Sequence, residues 1–148
     1  MFRNILIPTD GSSLAQLAVD AGIGFAKDVG AKVVVLVVTE PFHILSADAE
    51  QLSSTRSEYE ALARKHAADT LDAIARRAES ERVSCQTEQV SSHEVYRAII
   101  DMAAEKGSDL IIMASHGRSG VGALVLGSVA SKVLTHSSIP VLIYRRKQ

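Results

Sequence analysis

The sequence has little that would tie it to an oxidising compartment, a nucleic acid or a membrane. Its single cysteine, Cys85, can form no intrachain disulfide and has no second thiol with which to share a metal ion, so a reducing compartment is expected. Sixteen Lys and Arg balance 17 Asp and Glu to a formal net charge of −1, which lacks the basic excess of nucleic-acid-binding proteins. The longest apolar run, Val33 to Val38, is far too short to cross a bilayer.

The two ends of the sequence add no targeting pattern. Met1 leads into a predicted strand without the features of a signal peptide. The basic cluster from Arg145 to Lys147 is interpreted as a solvated end that blunts a sheet edge, in preference to a nucleic-acid contact. We therefore predict a cytoplasmic protein that has neither a nucleic acid nor a membrane as a partner.

The rest of the composition is that of a folded globular protein. The chain has 148 residues, of which 47% are hydrophobic and 22% are charged. A chain of this length buries about two-thirds of the surface that its unfolded form exposes, which is enough for one core. No internal repeat divides the sequence, and residues 1–148 are predicted to form one domain.

Short β-branched runs alternate with helical periodicities along the chain. Four helices are predicted: one after an N-cap at Ser12 or Ser13 and before Gly30, a longer one over 59–78, one over 95–106 that stops at Gly107, and one over 128–134. Strict alternation predicts an α/β fold with an open, doubly wound parallel sheet of five strands and helices on both faces. The strands are predicted at Asn4 to Ile7, Val33 to Thr39, Val83 to Val90, Leu110 to Met113 and Val141 to Tyr144.

Ligands of such sheets bind at the carboxyl ends of the strands, so the segments that follow strands are the informative ones. The first is Pro8 to Ser12, where a turn with helix capping explains Asp10 and Ser12 without any ligand. The connection from Glu40 to Ser54 is longer than usual, which fits either a binding loop or a tolerated insertion.

A glycine-rich segment follows the fourth predicted strand. It runs from Ala114 to Ser128 and contains Gly117, Gly120, Gly122 and Gly127. Glycines let main-chain N–H groups approach an anion, and a helix N-terminus adds unpaired donors and a partial positive charge. The segment therefore fits a phosphate cradle, although a flexible loop that ends in a helix cap fits the composition equally well. Neither a G-x-x-x-x-G-K-[ST] motif nor a G-x-G-x-x-G motif after the first strand is present.

The five histidines match no common zinc-site spacing. His66 lies on an apolar helical face and is predicted to be packed, whereas His136 is predicted to end a helix, where its charge is favourable. Ser115 and His116 are expected to point in opposite directions, as neighbours on an extended segment do, and so to make a poor nucleophile and base. An efficient enzyme is not predicted, because the sequence shows no full set of the metal ligand, water-positioning group and charge stabiliser that fast phosphoryl transfer needs.

Three segments give the chain a resemblance to the universal stress protein family. Its nucleotide-binding members carry G-x-x-G, nine residues and then G-[ST]; here the corresponding residues are Ala114 to Gly117, nine residues, and Gly127-Ser128. The opening segment 4–12 and the closing segment 138–143 also look like the family. The likeness covers essentially the whole chain.

The resemblance implies a sheet of strand order 3-2-1-4-5, with Asp10 facing the glycine loop. It implies an adenine nucleotide as ligand, ATP in the first place and AMP as the alternative. The carboxylate of Asp10 is, independently of the resemblance, a candidate for helping to hold Mg²⁺ beside a triphosphate. The resemblance also implies a homodimer through the last strand, which as an apolar sheet edge invites pairing with a second copy. The implied site residues are Pro8, Thr9, Asp10, Val38, Met113, Ala114, His116, Gly117, Arg118, Gly127, Ser128 and Val129.

Ala114 departs from the pattern, because it replaces the first glycine of the motif. Its methyl group is harmless if the residue has a negative φ and obstructive if it does not, or if the ligand touches its Cα. Three functions remain at this point. The first is an ATP-binding regulatory protein, the second is a dimeric interaction module that binds no nucleotide, and the third is a slow ATPase.

Overall fold

Five parallel strands form one sheet in the order β3-β2-β1-β4-β5, as expected from the resemblance. The computed structural model describes residues 1–42, 49–117 and 125–147, and for residues 49–54 it describes the backbone only. The strands are β1 (Asn4–Pro8), β2 (Lys32–Thr39), β3 (Cys85–Ser91), β4 (Leu110–Ala114) and β5 (Val141–Tyr144), and the helices are α1 (Ser13–Val29), α2 (Ala49–Ser80), α3 (Val95–Lys106) and α4 (Ser128–His136).

The central strands are buried on both faces, which explains why they are nearly continuous apolar runs. One core lies between the sheet and the helices α1 and α2, and its largest side chains include Ile7, Ile23 and Ile74. The other lies between the sheet and the helices α3 and α4 around Leu6, Ile99 and other apolar side chains. Helices on both faces leave the two ends of the sheet accessible to ligands.

The predicted ends of the helices are confirmed at three glycine or serine positions. Ser12 is the N-cap of α1, and its Oγ accepts a hydrogen bond from the Ala15 N–H at 3.3 Å. Gly30 and Gly107 follow α1 and α3 in the left-handed conformation that ends helices.

Two boundaries differ from the prediction. The third strand begins at Cys85 rather than Val83, because the Val83 N–H donates to the Ala78 carbonyl at 2.9 Å and so closes the end of α2. Helix α2 begins at Ala49, so the last six residues of the predicted loop from Glu40 to Ser54 are helical. Residues 43–48 of that loop lie outside the described part of the chain.

Helix α2 is buried over only its second half. Leu71 and Ile74 are 5% and 2% exposed, whereas Leu62 is 68% exposed. His66 is also exposed, so the prediction of a packed histidine was wrong. His66 is next to the buried Ala67 but lies on the solvent side of the helix. The exposure of Leu62 has another cause, which is length: 32 helical residues extend about 48 Å, and an eight-residue strand only about 26 Å. The first half of α2 therefore has no sheet on which to pack. Over the residues that the structure describes, no helix is long and apolar enough to span a membrane.

Candidate nucleotide site at the carboxyl edge of the sheet

Hydrogen bonds join the ends of β4 and β5 to the start of α4. The Ser115 N–H donates to the Tyr144 carbonyl at 3.0 Å, and the Ser115 carbonyl accepts from the Gly127 N–H at 2.7 Å. Gly127 is the residue immediately before α4. The first and last glycines of the loop are therefore held at the same edge of the sheet, although residues 118–124 between them are not described.

The turn after β1 lies directly beside this junction. The Thr9 N–H donates to the Leu36 carbonyl at 2.8 Å, which fixes the turn to β2. Within the turn, the Gly11 N–H donates to Thr9 Oγ1 at 3.2 Å and the Ser12 N–H donates to Asp10 Oδ1 at 2.9 Å. A capped turn, one of the interpretations of this segment, is thus present. It leaves the second carboxylate oxygen of Asp10 directed towards the glycine loop.

Gly127 has no room for a side chain, and at Gly117 a side chain would have to displace the Asp10 carboxylate. A Cβ built on Gly117 would lie 2.5 Å from Asp10 Oδ2, so the carboxylate and the glycine backbone are in close approach. A Cβ on Gly127 would lie 2.9 Å from both the Ser115 carbonyl oxygen and His116 Cα. Gly127 has a φ of −61°, which any residue can adopt. At Gly127, therefore, close packing rather than backbone conformation requires the glycine.

Helix α4 begins at this junction, and its N-cap residue, Gly127, has no side chain with which to cap the first N–H groups. No side-chain hydrogen bond caps the helix at Gly127, and its first turn contains no acidic residue. Ser128 is exposed and Val129 is partly exposed. Uncapped N–H groups and the positive end of the helix dipole are the features with which proteins bind phosphate groups.

The methyl group of Ala114 points away from this edge. Ala114 is 8% exposed and packs in a small cluster with Leu14, Ala15 and Ala18 of α1. It is also the last residue of β4. Among the non-glycine residues that the structure describes, Arg82 alone has a positive φ, so Ala114 meets the first condition for a harmless replacement of the glycine.

The prediction that the side chains of Ser115 and His116 point in opposite directions was wrong. Ser115 Oγ lies 3.1 Å from His116 Nδ1, because the chain bends immediately after β4 and brings the two side chains to one side. Ser115 is only 4% exposed, with both backbone groups bonded to β5 and to Gly127. The pair therefore orients the imidazole of His116 and offers no accessible nucleophile.

The other predicted site residues differ in how far their side chains are buried at the carboxyl edge of the sheet. Pro8 and Thr9 are buried at the end of β1. Val38 is partly buried near the end of β2, and Met113 is 6% exposed in the core beneath α3 and α4, so its side chain does not reach the edge. Arg118 lies outside the described residues.

Sequence reasoning missed the position of the basic cluster at the C-terminal end. Arg145, Arg146 and Lys147 are exposed, and the Arg146 Nη2 lies 3.5 Å from Ser13 Oγ at the start of α1. The signal was available, because the residues that follow the last parallel strand must emerge at the carboxyl edge.

Two shallow clefts lie at the opposite end of the sheet and share Arg82, Val83 and Ser84. Their charged side chains are already paired in part, with the Lys27 Nζ 2.8 Å from Glu81 Oε2. Cys85 lines one of them, and burial raises the pKa of its thiol. A thiol held in the neutral form is a poor nucleophile and metal ligand, so these clefts are weaker candidates than the carboxyl edge.

No group of three or more His, Cys, Asp or Glu side chains that could hold a metal ion occurs in the ranges 1–42, 49–117 and 125–147.

His136 ends α4, and its Nδ1 lies 2.9 Å from the Lys132 carbonyl oxygen, as predicted for a histidine at a helix end.

Comparisons with known proteins identify the relatives of this chain. Universal stress protein MJ0531 of Methanocaldococcus jannaschii is 30% identical over 146 residues, which cover 99% of this chain and 84% of that protein. The solved structure of protein MJ0577, of the same organism, has a TM-score of 0.83 at 26% identity and covers 100% of this chain and 99% of its own.

More distant solved structures share the fold. A universal stress protein in complex with cAMP has a TM-score of 0.71 at 23% identity and covers 99% of both chains. A universal stress protein family protein from Arabidopsis thaliana with AMP bound has a TM-score of 0.65 at 12% identity and covers 98% of this chain and 92% of its own. The model of the universal stress protein family itself matches residues 1–145. Strand order, motif and whole-length similarity agree, and the chain belongs to the universal stress protein family.

Proposed function

We propose that this protein binds an adenine nucleotide at the carboxyl edge of its sheet, between β1 and β4, and acts as a regulatory protein of stress physiology rather than as a fast enzyme. ATP is the favoured ligand and AMP the alternative. The observation that carries the proposal is the close approach of the glycine backbone at Gly117 to the Asp10 carboxylate. Gly127 supports it, because it brings the uncapped start of α4 to the same place.

The proposed roles follow the position of each residue along this edge. The turn at Asp10 and the end of β2 would contact the adenosine part, and the glycine loop with the start of α4 would surround ribose and phosphates. Met113 would contribute through its backbone, because its side chain is buried. The proposed set is Pro8, Thr9, Asp10, Val38, Met113, Ala114, His116, Gly117, Arg118, Gly127, Ser128 and Val129.

The residues of this edge fit a phosphate-bearing ligand. The N-cap of α4 is a glycine, which leaves room for phosphate oxygens at the first N–H groups of this helix. Mg²⁺ bound with ATP would neutralise phosphate charge, and Asp10 is the carboxylate at this edge that would help hold it. The hydrogen bond that the Ser12 N–H donates to Asp10 Oδ1 orients this carboxylate. The nucleotides bound to two structural relatives, cAMP and AMP, support the same ligand class.

The buried methyl group of Ala114 favours this proposal over an interaction module that binds no nucleotide. The loss of the motif glycine would argue against binding only if the added methyl group occupied the ligand space. Ala114 packs on α1, so that space is not reduced by its side chain. We further propose that the protein is a cytoplasmic homodimer that pairs through β5.

Calorimetric titration with ATP and AMP, with and without magnesium, tests the proposal. Gly117→Ala is expected to weaken ATP binding at least tenfold, since its Cβ would meet Asp10 Oδ2. Gly24→Ala is the matched control, because a Cβ there meets nothing within 4 Å. This control should bind ATP as the wild type does.

A second measurement asks whether the purified protein already carries nucleotide. The protein is denatured, and the supernatant is examined by ultraviolet absorbance and mass spectrometry. The chain contains no tryptophan, so a released base is easily detected. Absence of heat with every nucleotide at high protein concentration, together with a nucleotide-free preparation, would reject the proposed function.

A further inference from the structure

Three consecutive cations that follow the last strand emerge beside the candidate site. Strand β5 runs parallel to β4 and pairs Tyr144 with Ala114, so Arg145, Arg146 and Lys147 follow at the carboxyl edge. Neighbouring strands are about 4.8 Å apart, which sets the spacing between the start of this C-terminal basic segment (residues 145–147) and the bend at Ser115. Ser115 in turn accepts the hydrogen bond of the Gly127 N–H.

The electrostatics of this edge favour an anion. Arg146 lies against Ser13, the first residue of α1, where the positive end of the helix dipole disfavours a cation. The first turns of α1 and α4 contain no acidic residue, and Asp10, which accepts from the Ser12 N–H immediately before α1, offsets only part of this positive charge. Two helix N-termini and a basic segment that follows β5 thus lie at the same edge as the carboxylate of Asp10, with the Arg146 side chain directed to the start of α1. A ligand with several negative charges relieves their mutual repulsion.

We propose that the C-terminal basic segment is part of the nucleotide site and sets its preference for a nucleoside triphosphate over a monophosphate. The segment neutralises the phosphate groups that ATP has and AMP lacks, while the cradle at Gly117 and Gly127 binds the part that both share. This inference rests on the proposed function. It assigns the basic end of the chain a role in ligand discrimination rather than only in blunting a sheet edge.

The test compares ATP and AMP binding by calorimetry in the full-length wild type and in Arg145→Gln/Arg146→Gln/Lys147→Gln. The affinity for ATP should fall about tenfold, the sum of three exposed ion pairs, and the affinity for AMP less than about threefold. The weakening of ATP binding by added salt should be smaller in the variant than in the wild type.

Two further variants separate charge from other effects. Arg64→Gln/Lys65→Gln/Arg76→Gln removes the same charge from exposed positions of α2 and should leave both affinities unchanged. Arg145→Lys/Arg146→Lys keeps the charge and should keep the preference for ATP. Thermal unfolding confirms that each variant is folded.

Three results would overturn the inference. The first is unchanged ATP affinity in the glutamine variant, and the second is an equal loss for ATP and AMP, which would place the segment against the shared part of the ligand. The third is loss of the preference for ATP in the lysine variant. Failure of this inference and failure of the proposed function are distinguishable. If the proposed function fails, the wild type binds no nucleotide at all; if only this inference fails, the wild type still binds ATP.

Discussion

Ala114 and Gly117 have opposite relations to the candidate site, although both belong to the same four-residue motif. The first lies with its methyl group in the core against α1, and the second has its backbone against the Asp10 carboxylate. A methyl group at the first position packs in the core, whereas one at the second would displace the Asp10 carboxylate. The match between a sequence and a motif therefore has to be weighed position by position.

This difference predicts the behaviour of Ala114→Gly. The substitution should lower the free energy of unfolding by about 1 kcal/mol, because it removes a packed methyl group from a strand and adds backbone freedom. ATP affinity should stay that of the wild type. Chemical denaturation and calorimetry measure the two effects on one preparation. A variant that gains affinity absent from the wild type would instead indicate that Ala114 had abolished the site.

Among the secondary-structure elements, helix α2 has two halves that differ in how they pack. Its second half is anchored on the sheet by Leu71 and Ile74, and its first half extends past the strands with Leu62 exposed. Leu71→Ala should cost about 2–5 kcal/mol of stability, since it leaves a cavity in the core. Leu62→Ala should cost no more than about 0.5 kcal/mol. Urea unfolding of both variants checks the contrast, and equal losses would contradict the described packing.

Strand β3 is attached to α3 by an ion pair between Glu88 Oε1 and Lys106 Nζ at 2.6 Å. The hydrogen bond that Lys106 donates to the Glu88 carboxylate lowers the pKa of Glu88 below its ordinary value of 4.5 and raises the pKa of Lys106 above 10.5. The stabilisation that ionised Glu88 contributes is therefore fully present when the pH is above the ordinary pKa of a glutamate, and it is lost as the pH falls through the lowered pKa. The part from Lys106 is lost as the pH rises through its raised pKa.

The expected result is that Glu88→Gln is less stable than the wild type near neutral pH and that the difference vanishes at acid pH. Thermal unfolding as a function of pH measures it. Lys106→Gln and the double variant complete a cycle that isolates the pair. A difference between Glu88→Gln and wild type that is independent of pH would mean that the ion pair contributes nothing.

For the molecule as a whole, the two edge strands of the sheet differ in polarity. The β3 edge carries polar side chains and the ion pair of Glu88, whereas β5 is an apolar four-residue strand with Leu142 40% exposed. Charged and polar edges resist pairing, and apolar edges invite it. The proposed homodimer is therefore expected to form through β5.

Sedimentation velocity over a range of concentrations tests this expectation. Wild type should sediment as a dimer and Leu142→Asp as a monomer, because a carboxylate would be buried against the second copy. Gln86→Asp on the β3 edge is the matched control and should remain dimeric. A wild type that is monomeric at every concentration would exclude the dimer.

Hydrophobic patterning and helix caps were enough to predict the five strands, the doubly wound parallel sheet and the caps at Ser12, Gly30 and Gly107, because these features depend on neighbours in the chain. The family resemblance supplied the strand order. The ends of α2 and β3 were missed because packing and the turn at Val83 decide them. Only tertiary structure could decide that the Ala114 methyl group lies in the core and that the Arg146 side chain lies against Ser13, because both depend on where distant segments meet in space. The contact of Ser115 with His116 depends on the bend of the chain after β4, which local sequence patterns did not reveal.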